Sequence, residues 1–156
     1  MTSEHTEAVV FMRAVRGAED RWPDLRWLHA VPNGGLRNKR VAAQLKAEGV
    51  RPGVPDYLLP VPRGPFVGLA LELKRLHGGR VSREQHEWLA HLTSAGWATA
   101  VCHGWEAAWA SVVDYMGQEP HQSLCAGRPP FECGEGSGTQ GRASQARTGR
   151  IKRVST

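Results

Sequence analysis

The stretch Val67-Gly68-Leu69-Ala70-Leu71-Glu72-Leu73-Lys74 alternates strictly, and it constrains the chain more than any other feature. Successive side chains of an extended strand point to opposite faces. Val67, Leu69, Leu71 and Leu73 therefore share one face, and Gly68, Ala70, Glu72 and Lys74 share the other. Four branched apolar side chains demand a core on their side. A glutamate and a lysine on the opposite side are not what a strand with two simple core faces carries. Residues two apart on one face are about 6.6 Å apart, so Glu72 and Lys74 can reach one small object together. Upstream, Gly49-Val50-Arg51-Pro52-Gly53-Val54-Pro55 leads into Asp56 and a second apolar run, Tyr57-Leu58-Leu59. If the two runs pair, Asp56 and Glu72 meet at the strand ends. Two carboxylates and a lysine on a rigid sheet suit a divalent cation and a phosphodiester. The carboxylates supply oxygen ligands for a hard metal, and the lysine supplies a cation for charge that builds on phosphate.

The flanking segments read as alternating helices and strands. Residues 3–18 predict a helix that Ser3 caps, that Glu4 suits at its positive first turn, and that Gly17 helps to end. From Ala8 to Val15 every residue but Arg13 is apolar, which predicts a largely buried helix. Leu25 to Val31 reads as a strand entered past Pro23, and Pro32-Asn33-Gly34-Gly35 as a turn. Asn38 opens a helix to about Glu48, with Val41 and Leu45 one turn apart and Gly49 as its stop. Arg37, Lys39, Arg40 and Lys46 make this the most basic segment before the tail. It reads equally as a phosphate-contacting surface, with the Gly34-Gly35 pair letting backbone amides approach a phosphate, or as a solvated helix face after a plain loop. His77 to Arg80 form a loop, and Ser82 starts a helix with Trp88, Leu89 and Leu92 as its apolar stripe. Ser82 and Gln85 have capping-box spacing. Trp97 to Cys102 alternates as a final strand. Trp105, Trp109, Val112 and Met116 then fall at helical spacing to about residue 116, as core residues. The order α-β-α-β-β-α-β-α predicts an α/β domain.

Composition bounds the partners. The 156 residues suit one domain, and a hydrophobic fraction of 40% with six tryptophans is enough for a core. Net charge is +5, divided as +2 over residues 1–118 and +3 over residues 119–156. The core is thus only mildly basic, and charge alone argues weakly for a polyanionic partner. Three cysteines form no framework, which fits a reducing compartment. Cys125, Cys133 and His121 have no zinc spacing. The polar N-terminus shows no signal peptide, and no apolar run approaches the ~20 residues of a membrane span. A cytoplasmic protein without membrane contact is expected. From residue 119 Gly, Ser, Thr, Gln and Arg dominate without periodicity, which predicts a disordered basic tail over 119–156 behind a domain over 1–118.

Pro55-Asp56, a spacer, and Glu72-Leu73-Lys74 resemble the motif of the PD-(D/E)xK nuclease superfamily. The flanks sharpen this. His29 to Gly35, Lys46 to Asp56, Gly68 to Lys74 and Ser82 to Gln85 resemble, in order and spacing, the VRR-NUC (virus-type replication-repair nuclease) family. The similarity runs from about Glu4 to about Tyr115. It implies a three-layer, restriction-endonuclease-like α/β domain with a short mixed central sheet flanked by helices. It implies an endonuclease that hydrolyses DNA phosphodiesters with Mg²⁺ or Mn²⁺ in phage or bacterial replication and repair. The implied metal set is Asp56, Glu72, the Leu73 carbonyl and Glu7, and the implied catalytic set adds Lys74 and Gln85. By position alone Glu7 is a dipole-favoured first-turn carboxylate. The family has an acidic site residue on its first helix, and Glu7 matches that place better than Glu4, three residues earlier. A free lysine titrates near 10.4 and is a poor base at neutral pH unless burial lowers it, so an electrostatic role suits Lys74. DNA contacts are expected from Asn33, Gly34, Arg37, Lys39, Arg40 and Arg75. Small stand-alone relatives resemble dimeric junction-resolving enzymes and larger ones trim flaps, so branched or duplex DNA and a homodimer are expected. The competing readings are a non-catalytic DNA-binding module that keeps the fold, and a small-molecule enzyme using the same carboxylates.

The tail generates its own test. Removal of residues 119–156 should leave the fold intact, weaken DNA binding and flatten its dependence on salt. A much earlier melt of the truncated protein would make the tail part of the fold.

Overall fold

The computed structural model describes residues 3–32 and 39–120. Helix α1 spans Glu4–Gly17 and starts as its sequence requires, with the Ser3 hydroxyl accepting the Thr6 N–H at 3.1 Å. Its buried residues Glu7, Phe11 and Val15 lie four apart on one stripe. The helix is therefore amphipathic rather than largely buried, and Val9, inside the apolar run, is exposed. The expected strand from Leu25 is instead a 3-10 helix over Pro23–Trp27. Pro23 presets a helical φ at its start. The three-residue repeat of that helix then stacks Leu25 and Leu28 on one side, and both are buried. Only His29–Ala30 remain as strand β1. Helix α2 covers Lys39–Ala47, while its expected cap, Asn38, lies outside the described residues. It ends at Gly49, where φ is +99°. The Gly49 N–H reaches the Lys46 carbonyl at 3.2 Å, and the Val50 N–H reaches that of Leu45 at 2.9 Å.

Strands β2 (Tyr57–Leu59), β3 (Leu69–Lys74) and β4 (Ala98–His103) complete a four-stranded mixed sheet in the order β1-β2-β3-β4. β2 pairs antiparallel with both β1 and β3, and β3 pairs parallel with β4. The parallel pair is bridged by helix α3 (Arg83–Ser94), and helix α4 (Trp105–Met116) follows β4. Flanking helices on a central mixed sheet are the α/β architecture that the element order predicts.

The alternation of β3 sets the layers. Leu69, Leu71 and Leu73 join Phe11 and Val15 of α1 and Ala108, Val112, Tyr115 and Met116 of α4 in one buried cluster. Phe11 meets Tyr57 edge-on, with ring centroids 4.9 Å apart. Each of these fully buried side chains contributes about 1.5–3 kcal/mol. Trp105 and Trp109 pack against the cluster from α4, as their spacing predicts. The other face is buried too, contrary to a simple solvent-facing side, since all six residues of β3 are buried. Glu72 and Lys74 are covered by α3 and by the loop at Gly79, where an added Cβ would stand 2.8 Å from the Lys74 Cβ. Val67, expected within the strand, precedes it and is exposed. The paired run begins beyond Gly68, whose missing side chain leaves room for the Trp97 ring.

The loop that enters β2 is fixed to α3. Trp88 Nε1 donates to the Pro52 carbonyl at 3.0 Å, and Gly53, with φ +85°, lies against the backbone of Glu84. A Cβ at Gly53 would fall 2.5 Å from the Glu84 carbonyl carbon. Among the described residues no helix is long and apolar enough to cross a membrane. The described chain runs two residues past the expected boundary at 118, with Gly64 N–H on the Glu119 carbonyl at 2.9 Å and Pro120 bridged to Arg63.

Gly53→Ala should destabilise the protein by more than the ~1 kcal/mol that glycine costs elsewhere, because backbone rather than a pliable side chain opposes the new methyl group. A melting temperature within a degree of wild type would contradict this packing.

Candidate active site

Asp56 immediately precedes β2. Its neighbour Tyr57 pairs with Leu71, so the antiparallel register places Asp56 opposite Glu72 on one face. The half-buried Asp56 accepts the Leu73 N–H on Oδ2 at 2.9 Å, and its own carbonyl accepts the Val31 N–H at 2.8 Å. Glu72 is 0% exposed. Its Oε1 accepts the Lys74 ammonium at 2.5 Å and also the Gln85 side-chain amide. Its Oε2 is buried without a hydrogen-bond partner. Gln85 is held by the capping box that its sequence predicts. Its N–H reaches the Ser82 hydroxyl at 3.2 Å, and its Oε1 accepts the Ser82 N–H at 2.8 Å. One side chain thus closes the helix start and donates to Glu72.

Burial dominates the electrostatics. It pushes the Glu72 carboxyl up to about 7, with Lys74 pulling down and the Asp56 charge adding to the rise. Burial also raises Asp56. The Leu73 N–H and Lys74 offset this in part, and Glu4 adds to it. A buried and a half-buried carboxyl, both raised by desolvation beside one lysine, are a set of oxygen donors without enough positive charge. The orphaned Glu72 oxygen fits a divalent cation on the same ground. Among the described residues no group of three or more His, Cys, Asp or Glu is gathered to hold a metal. Two carboxylates plus backbone, water and phosphate oxygens are what Mg²⁺ commonly takes.

These groups adjoin a cleft of about 1020 Å³, whose lining includes Asp56, Leu73, Lys74 and Gln85. From α1 the cleft takes Glu4 and His5. Glu7 stands elsewhere on that helix. It is buried, and its Oε2 accepts the Trp105 N–H at 2.9 Å at the start of α4. Lys46 and Arg51 also line the cleft. His5 carries no motif of its own, and Arg51 lies within the Lys46–Asp56 segment, whose resemblance assigns it no site role. Of the expected DNA contacts, Asn33, Gly34 and Arg37 lie outside the described residues, and Lys39 and Arg40 open α2. Arg75 is exposed after β3, with Nη2 3.5 Å from the Gly78 carbonyl.

The family model for the VRR-NUC domain matches residues 20–106. The chain belongs to the VRR-NUC domain family. A solved structure described as a VRR_NUC domain protein superposes with a TM-score of 0.62 at 23% identity, covering 74% of this chain and 91% of the other. At that identity the likeness shows a shared fold. No curated protein matches. Membership indicates a nuclease-type, DNA-processing function. The matched span contains Asp56, Glu72, Lys74 and Gln85 and begins after α1, so it carries no assignment for Glu4 or Glu7.

The raised Glu72 carboxyl gives this VRR-NUC domain a pH signature. Its folded pKa lies above the ordinary 4.5, so the stability linked to its neutral form is complete below 4.5 and lost as pH rises through about 7. In chelator, Glu72→Gln should therefore gain on wild type by several degrees of melting temperature between about pH 5 and 8. A gap that stays constant with pH would contradict the buried carboxyl.

Proposed function

We propose that this domain is a divalent-metal-dependent endonuclease that hydrolyses DNA phosphodiesters, using Mg²⁺ or Mn²⁺ held by Asp56 and Glu72. The observation that carries the reading is the buried Asp56–Glu72 pair, with one oxygen of Glu72 unpartnered, next to Lys74 at the cleft. A bound cation would supply a Lewis acid and a water of lowered pKa. Asp56 faces the cleft and is oriented by the Leu73 N–H. The Leu73 carbonyl is proposed to complete the ligand set. Gln85 and Lys74 hold Glu72 in one rotamer, which reduces the reorganisation needed when substrate arrives.

Lys74 is proposed to orient the attacking water and to stabilise charge on the phosphorane. Its stem is gripped by the loop at Gly79, and its carbonyl accepts the Gly104 N–H at 2.8 Å. The ammonium is therefore delivered from a fixed base. Glu7 is proposed to act through water or by seating α4, while Glu4 lines the cleft. Lys39, Arg40, Lys46, Arg51 and Arg75, with the segment at Asn33, Gly34 and Arg37, would neutralise phosphates. A branched substrate presents two scissile strands, and one site per chain suits a two-fold dimer.

Purified protein should nick DNA with Mg²⁺ or Mn²⁺, do nothing in chelator, and bind with little cleavage in Ca²⁺. Glu72→Ala should lose activity by several orders of magnitude together with metal binding. Lys74→Ala should keep Mn²⁺ affinity yet lose roughly 10²–10³ in kcat. Gel assays on duplex, flap and four-way junction, with Mn²⁺ titrations, check both. Wild-type protein that binds these DNAs and cuts none with any divalent metal would leave a binding module.

A further inference from the structure

The cleft has an apolar side that the hydrolytic groups do not use. In the sheet order β1-β2-β3-β4, the reactive groups come from β2, β3 and α3. The β1 side of the same cleft is lined by Ala30, Val31, Leu45 and Val50. Ala30 is exposed and the other three are half-buried, so this wall presents accessible apolar surface. It begins next to the chemistry, because the Val31 N–H is bonded to the Asp56 carbonyl at 2.8 Å. Neighbouring strands stand about 4.8 Å apart, so the Ala30–Val31 part of the wall lies one strand spacing from the segment that carries Asp56. Two exposed cations, Lys46 and Arg51, share the lining with it.

Charged groups suffice to hold a phosphate backbone, and an apolar wall adds nothing to that contact. Clefts of roughly 300–1,000 Å³ with apolar walls and a few polar groups instead hold compact organic ligands. At about 1020 Å³ this cleft has that size with the scissile diester included. We propose, resting on the nuclease reading above, that the wall of Ala30, Val31, Leu45 and Val50 receives the nucleoside adjoining the scissile phosphate with its base out of the stack. The preferred substrate is then DNA with an unpaired nucleotide at the cut. In continuous duplex that base is stacked and paired, and extruding it costs a few kcal/mol. At a tail, flap or branch point the cost is already met. Lys46 and Arg51 neutralise the flanking phosphates without reading sequence, so the preference is for unpaired structure.

Three oligonucleotide substrates of one sequence test this: a continuous duplex, the same duplex with one unpaired nucleotide at the cut, and a third with that nucleotide abasic. Bis(p-nitrophenyl) phosphate serves as a diester without a nucleoside. With Mn²⁺ the unpaired substrate should be cut about tenfold faster than the duplex, and the abasic form should lose most of that advantage through KM. In Ca²⁺ the base-bearing form should bind about tenfold more tightly than the abasic one. Ala30→Gln, which sets a polar side chain on the wall at an exposed position, should abolish the difference between the two. Equal cleavage and equal affinity for base-bearing and abasic DNA would overturn the nucleoside wall while leaving the nuclease reading intact. Failure to hydrolyse any diester, including the small one, would overturn the nuclease reading. The Ca²⁺ affinities would then still decide whether a base is bound.

Discussion

The buried carboxylate of Glu72 is the interaction on which the site depends. A fully desolvated glutamate is costly unless its oxygens are satisfied, and here one oxygen takes both the Lys74 ammonium and the Gln85 amide. The other oxygen is left without a partner. Burial raises the carboxyl to about 7, and the Asp56 charge adds to the rise while Lys74 opposes it. The unpartnered oxygen also makes the pair with Asp56 a place where positive charge is stabilising. The fold holds an unfavourable electrostatic arrangement in place because the opposite face of β3 is secured by Leu69, Leu71 and Leu73 in the core. Stability and chemistry are thus carried by alternate residues of one strand.

Two braces keep the surrounding elements in position. The first joins the loop before β2 to α3, through Trp88 on the Pro52 carbonyl and Gly53 on the Glu84 backbone. Asp56 follows this loop and Gln85 lies on this helix, so the residue facing the cleft and the residue holding Glu72 are carried by elements packed together. The second brace joins α1, β3 and α4. Glu7 receives the first N–H of α4, and Gly104, held at φ +85°, donates to the Lys74 carbonyl. A carboxylate at the positive end of a helix is favourable in itself. The same contact closes the end of β3 where the lysine emerges.

The division of α1 illustrates how helical geometry separates similar residues. Glu4 and Glu7 are three apart, close enough to share a face from sequence spacing alone. In the folded chain Glu4 borders the cleft and Glu7 turns toward α4. Composition and motif spacing carry no information on that choice. It follows from where α4 begins, 98 residues along the chain from Glu7.

The amino-acid order by itself determined the element sequence, the central strand and its two faces, the helix capped by Ser82 and Gln85, and the meeting of Asp56 with Glu72. These rest on local periodicity and on cap or turn chemistry, which act between residues a few positions apart. Tertiary structure alone decided that both faces of β3 are buried, because the cover over Glu72 and Lys74 comes from α3 and the Gly79 loop rather than from the strand. It turned the expected strand at Leu25 into a 3-10 helix, because two leucines three apart had to face one core. It also brought His5 to the cleft from the first helix, far from Asp56 in sequence. Side-chain periodicity reports which face is buried, whereas the partner that buries it is set by long-range packing that no local pattern encodes.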